Sequence, residues 1–239
     1  MIILGLSLSS LGQKAYETEW KEVESLVRKG LPQSALAIVD DIYKQSKAEN
    51  NAPQFLKSAL YQIKLRADYQ EDYMETSLAQ IKDELGKSIS PISQVLHSIQ
   101  AELYWRYYQG NRYKFMDRTS ISNPDPADMK TWDLKTLVNE VTLNYLASLD
   151  NADQLKKINL DLFDPILETE AGSKVYRPTL YDFLAHRALD FFRNEEPAVT
   201  RPAVGFMVDQ EAYYAPAKDF AALTLPSTTG DDFRLGHKR

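Results

Sequence analysis

The sequence predicts an all-α protein built of antiparallel helical hairpins, and three observations carry that reading. Apolar residues recur at helical spacing along most of the chain, starting with Tyr16, Trp20, Val23 and Val27 at i, i+4, i+7 and i+11. Stop signals stand where the stripes end, and only 9 of the 239 residues are glycine. The balance of 44% apolar and 26% charged residues is that of an ordinary globular chain, long enough to bury a core.

The first stripe predicts a helix to about Lys29. Gly30 can take the left-handed position after its end, Leu31 can fold back, and Pro32 cannot prolong it. Ala35, Ile38, Val39 and Ile42 give a second helix and so a hairpin. Leu56, Ala59, Leu60 and Ile63 mark a third, opened by Pro53; Met74, Leu78, Ile81 and Leu85 mark a fourth that stops at Gly86. Ser90 and Pro91 read as N-cap and first-turn residues of a fifth, carrying Ile92, Val95, Leu96, Ile99 and Leu103. After the turn-rich "SISNPDPAD", Leu134, Leu137, Val138, Val141 and Tyr145 give a sixth helix, and residues 179–193 the last long one. Such pairs suggest a tetratricopeptide-like or α-solenoid-like stack, although no unit recurs at a fixed period.

The ends differ from the middle. Residues 1–12, "MIILGLSLSSLG", hold a short apolar run followed by small residues at Ser10 and Gly12. They read as the remnant of a secretory signal, without its basic start, or as a frayed apolar N-terminus. A helical domain is expected over 13–195. From 196 to 239 the chain has four prolines and no sustained stripe, which predicts an extended tail pinned by Phe206, Tyr213, Tyr214 and Phe220. No apolar run approaches the roughly 20 residues of a transmembrane helix.

Charge and composition exclude several chemistries. A net charge of −6 with acids spread along the chain argues against nucleic acid as a partner. With no cysteine there is no disulfide, thiolate site or cysteine nucleophile. No zinc-protease, phosphate-loop, serine-hydrolase or dinucleotide motif is present, so neither catalytic residues, nor a cofactor, nor a metal site is assigned.

Two stretches invite a functional reading. Asp182, His186 and Asp190 lie four apart, but the outer carboxylates stand about 12 Å apart along a helix, so one ion cannot bind all three. Helix capping with Thr179 and an Asp190–Arg193 pair is the alternative, with His186 between the two carboxylates. In "AELYWRYYQGNRYKFMDR" rings alternate with cations, giving Trp105, Tyr108 and Arg112 as a partner-binding surface for glycan or peptide. Ring packing into a core beneath snorkelling cations is the competing account.

The blocks "WKEVESLVRKGLPQSALAIVDDIYKQSKAENNAPQFLKSALYQIKL", "AELYWRYYQGNRYKF", "TWDLKTLV" and "RPTLYDFLAHRALDFF" give the chain a resemblance to the N-terminal helical region of large bacterial α2-macroglobulin-like proteins. It spans most of residues 16–220, in order and with similar spacing. The resemblance implies a non-catalytic docking module of a much longer exported chain, in the periplasm or at the outer membrane, whose whole serves endopeptidase inhibition by trapping proteases. Its partners would be other domains of that parent chain or an envelope protein, with residues 196–239 leading toward a following domain. The family's thioester needs a cysteine, so no trapping residue carries over to this sequence. A stand-alone envelope protein binding glycan or peptide is the alternative expectation.

Overall fold

The computed structural model describes residues 16–116, 125, 128–168, 170, 172–194 and 211–224. The protein is all-α: among these residues there is no β-strand, only one isolated bridge between Asn159 and Thr179. The apolar leader expected at 1–12 lies outside them. Two compact units are formed, one by the described residues up to Ser93 with Asp153–Leu180, the other by Gln94–Ala152 with the described residues from Tyr181 on.

In the first unit, helices α1 (Glu17–Arg28), α2 (Pro32–Ala48), α3 (Ala52–Ala67) and α4 (Tyr73–Leu85) pack each on the next. The turn after α1 forms as the sequence predicts. Gly30 has φ 70°, its amide donates to the Val27 carbonyl at 3.0 Å, and Leu31 reaches back to Leu26 at 3.0 Å. Asn50, at φ 55°, repeats this device after α2 with bonds to Lys47 and, through Asn51, to Ser46. Asn51 then caps α3 by accepting from the Gln54 amide.

Tyr16, Trp20, Val23, Ala35, Val39, Ile42 and Leu65 make one core cluster of this unit. Helix α3 is covered on most sides, and the polar residues this buries find partners. The Trp20 indole donates to Gln54 at 2.7 Å. A chain of side-chain bonds runs from Asp40 through Gln62 and Gln80 to Arg66, joining α2, α3 and α4. Glu84 is buried on α4, accepting from Tyr43 OH at 2.6 Å and pairing with Lys47 Nζ at 2.5 Å.

A short helix α8 (Ala152–Leu155), a 3₁₀ segment (Leu160–Ile166) and helix α9 (Ser173–Tyr176) complete the unit; the 3₁₀ segment packs on α3 through its buried Leu160 and Phe163.

The second unit is organised around α5 (Ile92–Gly110), which buries eleven of its residues from Gln94 to Tyr107. Ser90 does not cap this helix. Its hydroxyl is buried without a hydrogen-bond partner, and the Ser93 amide is served by the Ile89 carbonyl at 3.2 Å instead. Short α6 (Arg112–Met116), α7 (Leu134–Ala147) and α10 (Leu180–Arg193) follow, α7 being capped by Asp133, which accepts from the Thr136 amide at 2.8 Å. Of the tail expected to run extended, residues 211–224 are described. They form a 3₁₀ turn (Glu211–Tyr214) and a six-residue helix α11 (Ala217–Ala222) starting after Pro216, whose fixed φ suits a helix start.

Candidate functional site

Trp105, Tyr107 and Tyr108 of the aromatic run on α5 join one cluster with Phe115 and Phe191. Trp105 is 6% exposed; the Tyr108 ring stacks on it at 4.9 Å and the Phe191 ring meets it edge-on at 5.2 Å. Tyr108 and Tyr107 each touch Phe115, while Phe191 also stacks on Tyr145 at 5.2 Å and abuts Phe192. Tyr104 turns the other way, toward Trp132 at 5.3 Å, whose indole donates to the Asp125 carbonyl at 2.8 Å.

This changes the surface expected at Trp105, Tyr108 and Arg112. Trp105 presents no ring to solvent, because helix α10 supplies Phe191 against it and the i+3 position supplies Tyr108. Tyr108 is half-buried with the Arg112 guanidinium 6.0 Å from its ring centre, and Arg112 is the exposed member of the three. Outside lie Arg106, Arg112, Tyr113 and Lys114, with the Lys114 ammonium 5.6 Å from the Tyr113 ring. The arrangement is thus an internal aromatic framework under a basic, partly aromatic surface.

Beside the rings sits a polar clamp. Glu102 accepts from Arg106 Nε at 2.7 Å and from Tyr145 OH at 3.1 Å, and Arg187 approaches its second oxygen at 3.6 Å. Arg187 in turn donates through Nε to Ser98 at 2.9 Å. Burial pushes the Glu102 carboxyl up, but the Arg106 hydrogen bond and the Arg187 charge outweigh it and hold the group below the ordinary glutamate range. Burial, followed by the neighbouring Glu102 charge, pushes the Tyr145 phenol up. The clamp therefore keeps a carboxylate charged and a phenol neutral, which fixes α5, α7 and α10 against one another.

Of this clamp only the Glu102–Arg106 pair, four apart on one helix, carries a sequence signal. Arg187 reaches Ser98 across 89 positions and no local pattern foretells it. At the other candidate, His186 Nδ1 lies 2.7 Å from the Asp182 main-chain carbonyl, not from a carboxylate. His97 Nδ1 faces Asn144 Oδ1 at 2.9 Å. Among the described residues no group of three histidines or acids is placed to hold a metal ion, and no helix is long and apolar enough to cross a membrane.

Comparisons of the chain with protein-family models, with curated proteins and with solved structures return no match. Fold and site define an all-α protein of two compact helical units, one of which carries a clamped aromatic cluster.

Proposed function

We propose that this chain is a non-catalytic helical docking module of a large exported protein related to the bacterial α2-macroglobulin-like family, in which the helices stack in the manner of an α-solenoid. The parent protein would contribute protease trapping in the cell envelope, and this module would bind other domains of that protein or an envelope partner. One observation supports the reading above others. Rings from three of the four blocks that carry the resemblance meet within the second unit, Tyr104 against Trp132 and Trp105 against Phe191. The resemblance therefore rests on residues that pack together rather than on scattered surface positions, as expected of a retained module. Its docking surface would be the exposed basic rim of Arg106, Arg112, Tyr113 and Lys114, which suits an acidic partner surface.

Stand-alone binding of glycan or peptide is the weaker reading. It would have to use Tyr113 and the same cations, because the Trp105 faces are taken by Tyr108 and Phe191.

Export tests the proposal. Residues 1–12 together with the rest of the chain, fused to a reporter active only outside the cytoplasm, should give signal in the periplasm. Retention of the fusion in the cytoplasm, or cleavage of a reporter substrate by the purified chain, would count against it.

A further inference from the structure

Helices α1 and α3 hold one lysine against two rings and give it no acid to pair with. The Trp20 indole is fixed by its bond to Gln54, and the Tyr61 ring tilts against it with the ring centres 4.8 Å apart. Lys57 precedes Tyr61 by one helical turn on α3 and so shares its face. Its ammonium lies 4.1 Å from the Trp20 ring centre and 5.8 Å from that of Tyr61. The residue is half-buried, and among the described residues its ammonium takes neither a hydrogen bond nor an ion pair.

Other lysines of the chain are held differently. Lys21, Lys87 and Lys174 each close an ion pair with a carboxylate and stay above the ordinary lysine value. Around Lys57 and its rings stand Glu24 on α1, Lys64 on α3, 5.5 Å from the Tyr61 ring centre, and Glu168, which acts on Tyr61 from beyond the 3₁₀ segment. Burial holds Lys57 below the ordinary lysine value; Glu24 opposes the shift, but it is exposed, also faces Arg28 at 4.0 Å, and does not outweigh it. Burial likewise pushes the Tyr61 phenol up, so that neighbour stays neutral. A lysine in such a place carries more free amine at neutral pH than a solvated one, and the free amine is the nucleophile.

We propose that Lys57 is a modification site for activated acyl groups, set by its place on the Trp20 and Tyr61 rings without an ion-pair partner. The free amine attacks the carbonyl carbon of an acyl phosphate. An N–C bond forms, the C–O bond to phosphate breaks, phosphate leaves with the electron pair, and the amine proton passes to solvent. The amide is neutral, so the modification takes the positive charge off the Trp20 ring. The site stands apart from the docking-module reading, because it uses residues of the first unit and none of the basic rim.

Acetyl phosphate added to the full chain, with acetylation at each lysine followed by peptide mass spectrometry, tests it. Lys29 and Lys157 are the references, being exposed and without an ion pair among the described residues. The initial rate at Lys57 should exceed theirs at neutral pH. That ratio should fall as pH rises toward the ordinary lysine value of 10.5, where the references lose their protons too. Glu24→Gln, a change at an exposed position, removes a charge that favours the ammonium and should raise the neutral-pH ratio further. A ratio at or below one at neutral pH would overturn the proposal. So would a ratio above one that does not change with pH, the mark of a lysine that is merely accessible, or one that persists when the chain is unfolded in urea, the mark of local sequence.

Discussion

The Tyr145 hydroxyl donates to Glu102 Oε2 at 3.1 Å, joining α7 to α5 across 43 positions of sequence. Around that bond Arg106 and Arg187 bring two positive charges to one carboxylate, and the same Tyr145 ring stacks on Phe191. Polar clamp and aromatic cluster are therefore one structure. Loosening either end should be felt at the other.

Removing one donor from the clamp makes a graded change. Tyr145→Phe keeps the ring stack and deletes a hydrogen bond to a charged acceptor, which costs about 1.5–3 kcal/mol. Urea unfolding of the two proteins at neutral pH measures the difference. A larger loss would mean that the ring itself had moved.

The pH dependence follows from the sign of the Glu102 shift. Its carboxyl is held below the ordinary value of 4.5, so its contribution is fully present above that value and is lost as pH falls through the lower folded-state value. The stability gap between the protein and Glu102→Gln should thus be constant near neutrality and shrink only on acidification below the ordinary value. Denaturant midpoints taken across acid pH check this. A gap that widens toward low pH would show the opposite sign of shift.

Trp105 separates framework from surface. Trp105→Ala removes a buried ring and should cost about 3–5 kcal/mol, whereas Tyr113→Ala, 66% exposed, should stay within about 0.5 kcal/mol. Trp20, Trp105 and Trp132 are all buried, so acrylamide should quench the native fluorescence weakly. Strong quenching would place at least one of these rings at the surface.

The buried Glu84 pair behaves differently from a surface bridge. Lys47→Met alone leaves the carboxylate with Tyr43 as its partner, and because the lysine side chain is 43% exposed the loss should fall below the 3–5 kcal/mol of a fully buried pair, at about 1–3 kcal/mol. Replacing Lys47 and Glu84 together by methionine and leucine should recover most of it. A double-mutant cycle in thermal or urea unfolding reads the coupling.

Two turns test backbone strain. A Cβ at Gly30 would meet nothing within 4 Å, so Gly30→Ala is penalised only by its φ of 70°, at about 1–2 kcal/mol. Asn50→Gly, at φ 55°, should be neutral or slightly stabilising. Melting temperatures of the two variants should move in different directions or by clearly different amounts.

The helices were legible because each buries one face and most end in a recognisable signal, as Gly30 does. Side chains on the central helices were less so. On α4 the stripe suggests Leu85 inside, but Glu84 is buried because Tyr43 and Lys47 meet it there. On α5 apolar and polar residues are buried alike, so the periodicity that separates core from surface is weak, and a binding-face reading of Trp105 stood beside the packing one. The division into two units and the clamp partners Arg187 and Ser98 depend on contacts between distant segments. Those are invisible to a local pattern.

The most direct test of the docking-module account is an immunoblot of fractionated native cells with an antibody raised to residues 16–194. The account predicts an envelope band far heavier than a 239-residue chain. A band at the size of the chain itself, outside the envelope fraction, would contradict it.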